Sequence, residues 1–357
     1  MHSIAPVRSS GGAAAYFAQD NYYTVQENAE VGVWAGEGAR LLGLSGQVDK
    51  DTFEAILNGR LPGGEMVGQV EGRRLGVDLT FSMPKSASIL ALVSGDTRIL
   101  DAHMTAVRST MSQLVEKQFA EARNYERNRN GEPEKTGNLV YALFAHDTSR
   151  ALDPQGHIHA VVANLTRDLK GNWKALWNGE IWKNNTTIGQ FYHAAFRAQL
   201  QKLGYETEAS GKHGAFEIKG VPAEAIKAFS QRREDILAKA EETGISAPKG
   251  LDRITVNTRD AKLAVADREA LTRDWQDRAQ ALGFTGKALV AEARERAQEQ
   301  TRPSLRETAS AAFAEVAVRI GAALRPPSEL AASGPAAFLL SAATIKAQHA
   351  TASAIRH

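Results

Sequence analysis

The segment NLVYALFAHDTSRALDPQGHIHAVVANLT, residues 138–166, constrains this chain more than any other. Two apolar runs flank a stretch rich in Asp, Ser, Pro and Gly, the pattern of a strand, a reversal and a second strand that pairs with the first. Side chains two apart on a strand leave the same face, so His157 and His159 project together. Antiparallel pairing then sets His146, at the end of the first strand, beside them. The chain has no cysteine, so metal work falls to histidine and carboxylate, and three converging imidazoles make a candidate divalent-metal site with a position open for water or substrate oxygen. An HxH pair alone is weak evidence, since polar strand residues also line solvated faces; the third histidine carries the argument. Asp147 and Asp153 lie in the turn-rich segment and are expected to cap turns rather than bind metal.

Upstream, VDLTFS alternates as another strand, with Asp78, Thr80 and Ser82 on one face and Leu79 and Phe81 on the other. Asp78 could accept a hydrogen bond from a metal-bound imidazole, which fixes the tautomer and strengthens the donor, or take a proton from a nucleophile. PKSASILALV follows as an apolar helix, with Pro84 suited to its first position and Ser82 or Met83 near the cap. Further expectations are a short helix in VDKDTFEAILNGRLPGG closed by Gly, and a long helix from Asp101 to about Glu132. An amphipathic helix is expected over Thr187–Leu203, a hairpin around Gly211–Gly214, and a helix through VPAEAIKAFSQRREDILAKAEETG. A charged helical stretch then runs to about Gln300, with Trp275 and Phe284 as core anchors, and residues 301–357 turn alanine-rich with Pro326 and Pro327.

Several classes are excluded. Lys and Arg number 43 against 41 Asp and Glu, a net charge of +2, so any affinity for a polyanion must come from a local patch. No GxxxxGK[ST] phosphate loop and no G-x-S-x-G elbow occur. No run approaches 18 apolar residues, and the N-terminal sequence lacks a charged segment feeding an apolar one, so a soluble, cytoplasmic protein without membrane insertion is expected. A transfer reaction would need a nucleophile, and three of the seven tyrosines lie at Tyr16, Tyr22 and Tyr23, with Phe17 beside the first. A phenol is mostly un-ionised at neutral pH, so attack needs a base or a nearby cation. On periodicity alone, aromatics near a terminus are more often packing residues. Cationic candidates for holding a polyanion are Arg73, Arg74, Arg127, Arg129, Arg150, Lys202, Lys212, Arg232 and Arg233, though solvated surface charge is the better reading of each taken singly. Trp173, Trp177 and Trp182 recur in GNWKALWNGEIWK among lysines, a pattern that suits base stacking as well as core packing.

SIAPVRSSGGAAAYF, DNYY, WAGEGARLLGLSGQVD, VDLTFSMPKSASILALV, TGNLVYALFAHDTSR, HIHAVVANLT and LGYETE together resemble the N-terminal relaxase domain of the MobF family of conjugative plasmid proteins, the TraI and TrwC type of the HUH endonuclease class. The resemblance spans about residues 1–290, with the paired aromatics, the DLTFS-x-PKS segment and the H…HxH triad in the family's order. It implies an α+β fold: a palm at 1–230 built on an antiparallel five-stranded sheet, helical DNA-clasping fingers at 231–300, and a tail or linker at 301–357 that could begin a downstream region. It implies metal-dependent nicking of one strand at an origin of transfer, with a 5′-phosphotyrosine intermediate and reversible rejoining. Tyr16 falls on the attacking tyrosine, and Tyr22 and Tyr23 on the second pair; here the first pair is YF, so Tyr22 is the fallback and Tyr23 the third choice. His146, His157 and His159 fall on the triad that holds one divalent ion, Mg, Mn, Zn or Ni, and Asp78 on the carboxylate that assists the tyrosine or orients a ligand. Gly156 stands where a larger apolar residue is common, which is expected to loosen that turn.

Implied partners are single-stranded DNA with a hairpin beside the nic site, accessory relaxosome proteins and a coupling protein; the chain is expected to act as a monomer in the bacterial cytoplasm and to be capable of passing to the recipient cell with the DNA. Two other readings stay open from the residues: a three-histidine hydrolase using metal-bound water, and a non-catalytic DNA-binding module of the same fold.

Overall fold

The computed structural model describes residues 2–13, 32–68, 72–126, 129–149, 151–242 and 268–301. Five antiparallel strands form the main sheet in the order β1-β3-β7-β6-β2: β1 is His2–Val7, β2 Val33–Ala35, β3 Gly76–Ser82, β6 Tyr141–Thr148 and β7 Pro154–Ala163. Two apolar layers cover it, because period-2 alternation sends opposite residues of each strand to opposite faces. Val77, Leu79, Phe81, Leu143, Ile158, Ala160 and Val162 join one core with the helices; Ala142, Phe144, Val161 and Ala163 join a second core with Trp34, Phe53, Ile56 and Leu57. The expected α+β class with its five-stranded sheet is what the chain forms.

The helices α1 (Glu37–Leu41) and α2 (Lys50–Leu57) follow β2. The expected closure by Gly is Gly59 (φ 83°), which turns the chain beyond the end of α2; at its start Asp49 caps it by accepting from the Thr52 amide at 2.8 Å. After β3, α3 spans Lys85–Leu92; Pro84 is its N-cap (φ −51°, ψ 150°) instead of its first helical residue, one position later than expected. The helix α4 (Arg98–Ser109) runs on as a π-helical stretch (Thr110–Glu116) and a last turn (Lys117–Phe119). The expected helix to Glu132 therefore stops early. Ala120 turns extended (ψ 119°), and the next residues become β4 (Glu121–Asn124) and β5 (Glu132–Lys135) of a three-stranded sheet with β10 (Leu176–Trp177). Pairing with a strand over 50 residues downstream overrides the local helical preference.

The π-stretch carries buried Glu116 to a position where its Oε1 accepts from the Glu37 amide at 2.7 Å and from the Leu139 amide at 2.8 Å. One carboxylate thus caps α1 and holds the entry to β6. Burial pushes its pKa up, while the two amides pull it back down.

The helix α6 (Asn185–Lys202) and the hairpin β11 (Thr207–Ala209) with β12 (Phe216–Ile218) match expectation, and a short helix α5 (Gly179–Lys183) precedes them. The next segment splits into α7 (Ala223–Ala228) and α8 (Gln231–Glu242). Phe229 inserts into the core at the break, and the Gln231 amide donates to Asp153 Oδ2 at 2.8 Å, so a distant carboxylate caps the second helix. The last described helices are α9 (Arg268–Ala281) and α10 (Lys287–Thr301). Their Trp275, Ala279, Val290 and Ala293 lie in the same core as the main sheet, with Phe284 half-buried against it. No helix among the described residues is long and apolar enough to cross a membrane.

Candidate metal centre

The register of three strands builds the site. His146 of β6 pairs with His157 of β7; on the other side of β7, Ser82 of β3 pairs with His157 and Thr80 with His159. These side chains share one face of the sheet with Asp78. The three imidazoles stand in a near-equilateral triangle, with centroids 5.1–5.2 Å apart, and each offers a ring nitrogen within 4.8 Å of the others. His146 and His159 are buried and His157 is half-buried.

Hydrogen bonds assign the tautomers. His159 Nδ1 lies 2.8 Å from Asp78 Oδ2, and a carboxylate only accepts, so Nδ1 carries the proton and Nε2 the lone pair. His157 Nδ1 lies 2.9 Å from the Gln155 carbonyl, and the same argument puts its lone pair on Nε2. Neutral imidazoles whose second nitrogen is tied to a carboxylate or carbonyl are the donor set a divalent ion takes, so the residues present fit one. Thr80 adds to this: its hydroxyl lies 3.3 Å from Asp78 Oδ2 and 3.2 Å from His159 Nδ1. Sequence reasoning placed Thr80 on the right face without giving it this part; its spacing of two from Asp78 was the available signal.

Between the pairs His146–His157 and Thr148–Pro154 the register slips, so that Gln155 and Gly156 of β7 oppose Asp147 alone. This bulge stands directly before His157 and presents the Gln155 carbonyl to its ring. Gly156 does not loosen the turn. Its amide donates to Ser88 Oγ at 3.1 Å, its carbonyl accepts from the Met83 amide at 2.9 Å, and a Cβ at this position would stand 2.0 Å from Met83 Cε. Met83 thus occupies the space that a larger residue at 156 would fill. Gln155 Nε2 donates to the Met83 carbonyl and Lys85 Nζ to the Pro154 carbonyl, at 3.0 and 2.9 Å. Burial pushes the Lys85 pKa down to about 8, opposed by Asp153 and Glu217.

Asp147 and Asp153 are buried, and their carboxylates do not cap the turn as expected. Ser149 does that, its hydroxyl accepting from the Asp153 amide at 3.1 Å, while the two carboxylates pair with Arg268 and Arg278 of α9.

The other residues singled out from the sequence stand elsewhere. Tyr16, Tyr22, Tyr23, Arg127 and Arg150 lie outside the described residues. Arg73 is half-buried and donates to the Leu57 and Asn164 carbonyls at 3.2 and 3.1 Å, which commits it to holding loops together. Arg74 is exposed and reaches Asn178 Oδ1 at 3.5 Å. Trp177 is half-buried under the Arg123 guanidinium, 3.8 Å from the ring centroid, and Trp173 is half-buried on β9 (Trp173–Lys174). Lys202, at the end of α6, and Lys212, in the β11–β12 turn, are exposed.

A five-stranded antiparallel sheet that presents three histidines and an aspartate on one face defines a candidate divalent-metal protein, and the chain belongs to the TrwC relaxase family, whose profile matches residues 10–282. Among individual relatives, the multifunctional conjugation protein TraI of Escherichia coli K12 is 40% identical over 315 residues, 84% of this chain. This chain spans 17% of that protein's length. Among solved structures, the conjugative relaxase TrwC in complex with oriT DNA, metal-bound, is 38% identical with a TM-score of 0.72, covering 80% of this chain and 99% of that one. A TrwC complex with a 27-mer DNA comprising the recognition hairpin and the cleavage site is 37% identical with a TM-score of 0.71 over the same shares.

Proposed function

We propose that this chain is the nicking domain of a conjugative DNA relaxase, cutting and rejoining one strand of plasmid DNA at an origin of transfer. The observation that carries the reading is the convergence of His146, His157 and His159, with Asp78 behind His159, in a chain of the TrwC relaxase family. The three histidines would hold one divalent cation, Mg, Mn, Zn or Ni, which would supply positive charge to the non-bridging oxygens of the scissile phosphate. Asp78 keeps His159 in the tautomer that binds and lowers the cost of the charge it faces. Tyr16 is the nucleophile: its phenolic oxygen bonds to phosphorus, the bond from phosphorus to the 3′ oxygen breaks, the phenol proton is released and the 3′ oxygen leaves as a hydroxyl. One phosphodiester replaces another, so rejoining is the same step reversed and neither direction needs ATP. Tyr22, then Tyr23, are the next candidates and suit a second strand transfer.

The DNA partner is single-stranded with a hairpin beside the nic site, in keeping with the oriT complexes of the related TrwC. Trp177 with Arg123 above it, Trp173, Arg74, Lys202, Lys212 and Arg150 are candidates to meet it, by stacking on bases or neutralising phosphates. Residues 231–300 act as the clasping part and 301–357 as a linker. Accessory relaxosome proteins, a coupling protein, monomeric action and passage to the recipient cell with the DNA belong to the same reading.

The test is to incubate the protein with a labelled oligonucleotide bearing a cognate nic site and divalent metal, and to map any covalent adduct by denaturing gel and mass spectrometry. An adduct on Tyr16, absent in Tyr16→Phe and with EDTA, is expected. Cleaved DNA without an adduct would replace transesterification by hydrolysis; metal-independent binding without cleavage would leave a binding module.

A further inference from the structure

The turn that joins β6 to β7 is short, and both strands it joins carry metal-site histidines. His146 lies two residues before Thr148 at the end of β6, and His157 three residues after Pro154 at the start of β7. His146 and His157 face each other as the last regular pair of the β6–β7 ladder, and the register slips immediately beyond them on the turn side, so regular pairing supports the two rings from one side only. Something must hold the turn. Within it, Leu152 has φ 58°, a left-handed conformation that costs a branched-chain L residue about 1 kcal/mol and persists only when its surroundings enforce it.

One face of α9 enforces it. Arg268, Trp275 and Arg278 stand at helical spacing along that face, and each grips a different residue of the turn region. Arg268 pairs with Asp147, the neighbour of His146. Trp275, itself 2% exposed, donates its indole N–H to the Leu152 carbonyl at 2.8 Å. Arg278 donates to Asp153 Oδ1 at 3.2 Å and to the Ala228 carbonyl at 2.9 Å, while the other Asp153 oxygen caps α8. Asp153 is fully buried, so its position is set by these partners.

We propose that α9 is a positioning element of the metal centre: Arg268, Trp275 and Arg278 fix the β6–β7 turn and thereby the distance between His146 and His157, so that cation affinity depends on residues that touch no ligand. The inference rests on the three-histidine reading of the site and extends it to the C-terminal helical part. Outer contacts that orient metal-binding side chains typically change affinity ten- to a hundred-fold when removed. A loss of helix packing alone would lower stability without moving the affinity of the folded protein.

The experiment is titration calorimetry of the whole chain, without DNA, with Mn²⁺, Ni²⁺ and Zn²⁺ in turn, well below the melting temperature. Trp275→Phe keeps the ring and removes only the N–H donor; Arg278→Met keeps the stem and removes the charge; Arg278→Lys restores the charge. Arg296→Met is the control, because Arg296 donates to the Gly204 carbonyl at 2.8 Å and anchors α10 to the end of α6 instead of the turn. The expected result is a Kd raised on the order of ten-fold in Trp275→Phe and Arg278→Met, partly recovered in Arg278→Lys, and unchanged in Arg296→Met. Wild-type Kd values in folded Trp275→Phe and Arg278→Met would overturn the proposal and leave the metal site standing. So would an equal loss in Arg296→Met, which would mark a global effect. If Arg278→Met does not fold, Trp275→Phe decides alone. A wild-type chain that takes up none of the three cations would remove the metal reading and this proposal together.

Discussion

The Asp78 carboxylate and the His159 imidazole settle at the residue scale where one proton sits, and that proton decides which nitrogen faces the triad. Replacing Asp78 by Asn keeps the shape but removes the charge that strengthens the imidazole donor. We expect Asp78→Asn to weaken divalent-cation binding about ten-fold with little change in melting temperature, measured by calorimetric titration beside a thermal melt. A second histidine answers chiefly to burial. His103 lies on α4 among Tyr192 and Phe196, and among the described residues its Nε2 has no hydrogen-bond partner. Burial lowers its pKa from 6.5 to about 3. A depressed folded-state pKa means that the stability it contributes is complete above pH 6.5 and drains away as pH falls toward 3, because the unfolded chain takes up a proton that the folded chain refuses. Between pH 7.0 and 5.5 this amounts to about 1 kcal/mol. Urea unfolding at the two pH values should give a smaller drop for His103→Phe than for the wild type by that amount; equal drops would contradict the burial argument.

At the scale of elements, the bulge in β7 joins backbone irregularity to ligand placement. Gly156 and Met83 share one volume, since a methyl group on residue 156 would meet Met83 Cε. Overpacking of this kind costs about 1–3 kcal/mol when the neighbour cannot yield. Gly156→Ala should destabilise by about 1 kcal/mol, at the lower end because a methionine end is flexible, and Met83→Ala should cost more through the cavity it leaves. The double variant should be less destabilised than the sum of the two by at least about 0.5 kcal/mol, read from urea midpoints. Strict additivity would show that the two side chains do not compete for space.

For the whole molecule, the sheet and the helices α9 and α10 share one apolar core, through Trp275, Ala279, Val290 and Ala293. A ligand that binds only the folded triad should therefore stabilise a cooperative unit, not a local patch. At a hundred-fold excess over Kd, a divalent cation should add about 2.7 kcal/mol to the unfolding free energy, and EDTA should remove it. His157→Ala or His159→Ala should abolish the shift while retaining a cooperative melt. A metal-induced rise in melting temperature that persists in both variants would place the ion elsewhere.

Much of this molecule is legible without coordinates. Period-2 alternation and a single chain reversal are local properties, so His146, His157 and His159 could be assigned to one face from 29 residues of text, and Asp78 to a polar strand face from six more. The short helix closed by Gly59 and the β11–β12 hairpin are local in the same sense. What tertiary structure alone decided depends on partners far along the chain. The helix predicted to Glu132 ends at Phe119 because β4 pairs with Leu176 and Trp177; the π-stretch is set by Glu116 reaching Glu37 and Leu139; the Asp147 and Asp153 carboxylates serve α9, more than 100 residues away. The physical reason is the same in each case. Propensity and alternation record the energy of a residue with its near neighbours, whereas a register slip, a buried carboxylate or a left-handed leucine is stable only through groups that the fold brings to it.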